Sequence, residues 1–96
     1  DFKSHFKPGP GIRATYRFQI EEKDKPLIVD VDGPRLDCYF GNIGKVDVDI
    51  KTNASTMNDI VLSRMSFQRA FMTGNMKTKG DFKQLRALDQ IFVFQN

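Results

Sequence analysis

The chain carries one cysteine, one histidine and no tryptophan in 96 residues, and no long hydrophobic run. Each shortage excludes something. A lone thiol, Cys38, cannot build an internal disulfide framework; it fits a reducing compartment, and the expectation is a cytoplasmic protein. His5 sits in the opening segment and is expected to be solvated and partnerless. Cys38 has no histidine close in sequence to activate it, so it reads as a small buried hydrophobe rather than a nucleophile. The expectation is a protein that is not an enzyme, with no cofactor and no metal. No stretch approaches the ~20 apolar residues of a spanning helix, and no signal-peptide pattern opens the chain. A net charge of +3 falls short of the dense basic stripe of a nucleic-acid binder, so no nucleic-acid partner is expected.

What is present is enough for one domain with one core: 40% hydrophobic and 28% charged residues mark an ordinary globular chain. Residues 1–11, "DFKSHFKPGPG", alternate proline with glycine at their end and read as a loop or a truncated N-terminal segment. Residues 12–96 read as a single domain. From Ile12 the period is two. Ala14, Tyr16, Phe18 and Ile20 alternate with Arg13, Thr15, Arg17 and Gln19, which predicts a strand with one dry face. Leu27, Val29 and Val31 predict a second strand, Leu36, Cys38 and Phe40 a third, and Val46, Val48 and Ile50 a fourth. Short turns between them predict an antiparallel meander.

At Thr52 the period changes. Ser55 or Thr56 is the expected cap of a helix bearing Met57, Ile60, Val61 and Met65, with Arg64 near its C-terminal end. Ser66 is the expected cap of a shorter helix with Phe67, Ala70 and Phe71 on one side, closed by Gly74-Asn75. Met76 to Lys79 alternates as a fifth strand, Gly80 breaks it, and Asp81 caps a last helix carrying Phe82, Leu85 and Leu88. Strands plus helices on one dry face predict an α+β fold: a five-stranded, mostly antiparallel sheet with helices packed on one face.

The acidic pairs Asp30/Asp32 and Asp47/Asp49 are spaced like metal ligands, but each faces the wet side with Arg13, Arg17, Lys45 and Lys51. Cross-strand charge pairing is the simpler reading. The dry side holds all four methionines and much of a set of nine phenylalanines. Such soft side chains either pack a core or accept an apolar ligand.

The stretch "MSFQRAFMTGNMKTKGDFKQL" resembles the C-terminal half of the sterol carrier protein lipid-transfer domain. The similarity lies in Ala70-Phe71, Gly74, the lysine-bearing strand Met76 to Gly80, and the helix opening at Asp81. "VDVDIKT", Val46 to Thr52, is similar to the strand before that family's central helix. The resemblance implies an apolar tunnel between sheet and helices that binds a fatty acid, acyl-CoA, phospholipid or sterol without covalent chemistry. Its expected lining is Phe18, Ile20, Val29, Phe40, Met57, Val61, Met65 and Phe67, continued by Phe71, Met72, Met76, Phe82, Leu85, Leu88 and Phe92. Lys77, Lys79, Lys83 and Arg86 are expected to dock on an anionic membrane surface. The family's long N-terminal helix has no counterpart here, so a homodimer contact or a neighbouring domain is expected to cover its place. The alternative is an accessory or dimerisation domain with the same fold and a filled core.

Overall fold

Strand β1 (Arg13–Ile20) carries the strongest alternation and lies at the centre of the sheet. In the computed structural model, which describes residues 5–7 and 11–94, Ala14, Tyr16 and Phe18 face the core and are buried. Strands β2 (Leu27–Asp32) and β3 (Arg35–Phe40) follow as an antiparallel meander, with Tyr16 opposite Val29 and Val29 opposite Cys38. The expected four-stranded meander stops there. Strand β4 (Val48–Thr52) pairs parallel to β1 on its other side, Tyr16 opposite Val48 and Phe18 opposite Ile50. With β5 (Lys77–Gly80) outside it, the order is β3-β2-β1-β4-β5.

The reason lies in residues 42–47, which run back past β1 instead of turning tightly. The Arg17 guanidinium donates from Nη1 to the Asn42 side chain (3.0 Å) and to the Ile43 carbonyl (2.9 Å). Its Nη2 donates to Asp49 Oδ2 at 2.9 Å. Further along, the Asp47 amide donates to the Thr15 carbonyl (2.9 Å), and the Thr15 amide donates to the Asp47 carboxylate (2.8 Å). These bonds hold the crossing segment against β1, so β4 begins at Val48 rather than Val46. They also make the outer face less wet than alternation predicts. Ile28, in register with Arg17 and Tyr39 on that face, is fully buried.

The expected charge pairing holds at two of the acidic positions. Arg13 meets Asp32 at 2.7 Å across strands, exposed, and Arg17 meets Asp49, largely covered. Burial pushes the Asp49 carboxyl up, but hydrogen bonds from Arg17 and Gln19 outweigh it, and the carboxyl sits below its usual range.

Three helices cover the inner face. Helix α1 (Ala54–Val61) is capped by Asn53, whose side chain accepts from the Thr56 amide, not by Ser55 or Thr56. The Asn53 cap sits two or three residues earlier, and Thr56 and Met57 are already buried in the first turn. The helix ends at Val61, and Ser63 adopts a positive φ of 61°, so Met65 lies in the following turn and not on the helix. Helix α2 (Phe67–Met72) starts at the expected Ser66 cap, and α3 (Phe82–Ile91) at the expected Asp81 cap. Gly80 does not break β5; it belongs to it. At φ +125° its Cα faces the Asp47 carbonyl, and any Cβ would collide with that oxygen.

The opening segment is less free than expected. Phe6 bridges Phe92, the Lys7 amide donates to the Ile91 carbonyl (2.6 Å) and the Val93 amide to the His5 carbonyl (3.1 Å). His5 is half-buried with its ring 4.9 Å from that of Phe94, so it is not the solvated imidazole expected. The predicted Pro8 to Pro10 turn lies outside the described residues.

Two outcomes follow from these contacts. Gly80→Ala should destabilise the fold by roughly 3 kcal/mol, through strain and collision with a backbone atom that cannot yield; a denaturant midpoint within error of the parent would refute the close approach. For Asp49, a depressed folded pKa means its stabilisation is complete above the ordinary carboxylate value of 3.8 and is lost as pH falls through the lower, folded value. Asp49→Asn should cost roughly 1–3 kcal/mol at neutral pH, and the loss relative to the parent should shrink in acid. A difference that stays constant with pH would rule the carboxylate out as the source.

Candidate functional site

The expected lining residues divide by depth. Phe18, Val29, Phe67, Met76 and Leu88 are at most 2% exposed, and Met57, Leu85 and Phe92 are also buried. They fill the layer between sheet and helices. Ile20, Val61, Met65 and Phe71 are half-buried against that core. Phe40 (57% exposed), Phe82 (56%) and Met72 (73%) are at the surface. Phe40 ends the edge strand β3, and Met72 and Phe82 stand at the end of α2 and the start of α3, so none of the three is enclosed on all sides.

Two hollows flank α2. One, of about 410 Å³, lies between the end of α1, the start of α2 and the extended chain after α3. Its apolar part is Ile60, Met65, Phe92, Val93 and Phe94; Ser63, Arg64, Ser66, Arg69 and Asp89 supply the polar part. The other, of about 320 Å³, lies between α2 and α3 and is lined by Gln68, Phe71, Met72, Phe82, Leu85 and Arg86. The structure therefore gathers Met65 with Phe92 on one side of α2, and Phe71, Met72, Phe82 and Leu85 on the other.

What holds α2 between them is a residue that periodicity missed. A helix of six residues has few internal bonds, and its first amides need outside acceptors. Ser66 Oγ accepts from the Arg69 amide at 3.0 Å. Asp89, from α3, accepts from the amides of Phe67 (2.9 Å) and Gln68 (3.0 Å). A carboxylate next to Leu88 on the inward side of α3 was the available signal, because a half-buried acid needs donors. Tyr16 ties α3 to the sheet in a similar way, donating its hydroxyl to the Gln84 carbonyl at 2.6 Å. Burial, followed by the charges of Asp47 and Asp81, raises its pKa, so the phenol stays a donor.

The four expected docking cations do not form one group. Lys77 and Lys79 pair with Lys51 and Asp49 across β5 and β4 and share their outward face. Lys83 and Arg86 belong to α3 in the helical layer. Among the described residues no three of His, Cys, Asp and Glu converge as a metal set, and no helix is long and apolar enough to cross a membrane.

The sequence of residues 11–93, which spans all five strands and all three helices, matches the SCP-2 sterol transfer family. The chain belongs to that family. Membership carries lipid binding or transfer in general terms. No curated protein matches the sequence. Among solved structures, the sterol carrier protein 2-like 2 of Aedes aegypti superposes with a TM-score of 0.66 at 17% identity, covering 90% of this chain and 79% of its own. The same mosquito protein in its palmitated form gives 0.61 at 16% identity, covering 85% and 78%. The sec-alkylsulfatase Pisa1 of Pseudomonas sp. gives 0.76 at 20% identity; it covers 91% of this chain, which corresponds to only 14% of that enzyme. At these identities the likeness is one of fold. The SCP-2 fold thus occurs both in small carriers and as a minor part of a larger enzyme.

The Asp89 contacts are testable directly. Asp89→Ala should cost about 1–2 kcal/mol, the usual worth of a helix cap, and should speed hydrogen exchange at the Phe67 and Gln68 amides. Unchanged exchange at both amides would show that α2 does not depend on α3 for its start.

Proposed function

We propose that this chain is a non-enzymatic binder of an amphiphile, with the hollow beside Met65 and Phe92 as the mouth of the apolar site. The observation that supports this is the make-up of that hollow: apolar side chains with Arg64 and Arg69 beside them. The carboxylate of the lining, Asp89, is engaged by the Phe67 and Gln68 amides, and Arg64 has a loose, exposed contact with Asp59 at 3.6 Å. An acyl chain would take the apolar part and an anionic head the arginines. Met65 lines the hollow and is only half-buried, and a flexible methionine there suits the entry of a long chain toward the layer between sheet and helices. The palmitated relative supports a fatty-acid ligand, and the reducing compartment expected from a single Cys38 supports a cytoplasmic setting.

Palmitate and its neutral methyl ester, titrated separately, test this reading. Arg64→Gln with Arg69→Gln should weaken palmitate on the order of tenfold, the loss of a charge-assisted contact, and leave the ester unchanged. Met65→Trp should weaken both by filling the hollow. Failure of the parent protein to take up either ligand, together with a lipid-free mass after purification, would overturn the proposal.

That failure would favour a second reading, an accessory domain with a filled core. Two observations support it. Phe18, Phe67, Met76 and Leu88 leave the interior occupied, and the fold recurs as a small part of an alkylsulfatase. In such a setting the domain would hold the alkyl part of a substrate, or a neighbouring domain, at its surface.

A further inference from the structure

The surface between α2 and α3 combines features that the lipid-holding reading does not use. Met72 and Phe82 are the two most exposed large apolar side chains of the helical layer, at 73% and 56%. Phe71 lies beside them, its ring 5.7 Å from that of Phe82, and the three surround the 320 Å³ hollow together with Leu85. Soft, exposed apolar groups gathered in one place mark an interaction surface. Lys83 follows Phe82 directly, and Arg86 lines the hollow itself. The adjoining carboxylate, Asp81, is engaged in accepting the Lys83 amide at 2.9 Å as the helix cap.

We propose that this patch docks the protein on an anionic lipid bilayer, with Met72 and Phe82 entering the acyl boundary and Lys83 and Arg86 meeting the headgroups. Charge decides against a second copy. A two-fold contact through the patch would bring Lys83 and Arg86 of both copies together, whereas an anionic surface complements them. Chemistry decides against a shaped protein partner. Gln68 is the one neutral polar residue of the lining, so little is present to fix orientation by hydrogen bonding, while a fluid hydrocarbon boundary accepts a protruding methionine without a matching pocket. Lys77 and Lys79, on the outward face of the sheet, take no part.

Docking does not rest on a chain entering the hollow beside Met65, so vesicles of phospholipid alone test it independently. Sedimentation of the full chain with phosphatidylcholine vesicles, with and without phosphatidylserine, should show stronger partitioning onto the anionic ones, weakening as salt is raised. Lys83→Gln with Arg86→Gln should reduce partitioning onto anionic vesicles on the order of tenfold and remove the preference for phosphatidylserine. Met72→Ser with Phe82→Ser should weaken partitioning on both compositions; all four positions are exposed, so the fold is kept. The proposal is overturned by any of three results: no vesicle binding by the parent, binding lost instead through Lys77→Gln with Lys79→Gln, or a dimer that Met72→Ser with Phe82→Ser dissolves.

Discussion

The fold depends on the crossing of residues 42–47 past β1. Without it β4 would have only the free edge of β3 to pair with, and the helices that follow would cover the wrong end of the sheet. Two kinds of bond secure the crossing. Thr15 and Asp47 exchange amide donors, one to a carbonyl and one to a carboxylate. Arg17 spreads its guanidinium over Asn42, Ile43 and Asp49. A rigid planar fork suits this task, since one side chain must fix both a loop carbonyl and a strand carboxylate. Once β4 lies parallel to β1, Val48 and Ile50 join Tyr16 and Phe18 on one face, and a continuous floor exists for α1 to α3. Gly80 then allows β5 to close against β4, because only a residue without Cβ can pass the Asp47 carbonyl. Asp47 is therefore engaged twice, once by β1 and once by the approach of β5.

What was legible in the sequence was whatever local periodicity governs. The alternation of Ala14, Tyr16 and Phe18 placed the central strand, and Ser66 and Asp81 announced two helix starts through their own side chains. Strand order was not legible, because the bonds of Arg17 to residues 25 and 26 positions away carry no periodic signature. The Asn53 cap was misplaced for a related reason. Ser55 and Thr56 are equally good caps in isolation, and the choice falls to burial of Thr56 and Met57 by the tertiary fold. Met65 continued the helical spacing on paper, yet the positive φ at Ser63 turns the chain before it.

The candidate site was legible as a set of residue types and not as a place. Methionine and phenylalanine at inward positions are required of a solid core and of a ligand wall alike, and spacing does not separate the two. Depth does. Phe18, Phe67 and Met76 make the core, Met65 and Phe92 border one hollow, and Phe71, Met72 and Phe82 border another. The division is made by α2, a helix too short to persist alone, and by Asp89, whose carboxylate serves as its first-turn acceptor.

That arrangement also settles where the domain can yield. Moving the β1–β4 pair would break a ladder and the Arg17 bonds together, so the sheet is the stiff layer. Moving α2 would expose Phe67 and Ala70 but break few bonds beyond those to Ser66 and Asp89. Its flanks are already hollow, so the side chains there have fewer neighbours to lose than those of a packed helix. An amphiphile entering beside Met65 would thus displace a short helix held by few bonds, and the half-buried side chains around it are the ones with room to repack. The same short helix presents Met72 to the outside, so the element that separates the two hollows also carries the exposed patch. A bilayer contact at Met72 would act on α2 directly and would couple the proposed docking surface to the proposed mouth through six residues rather than through the sheet.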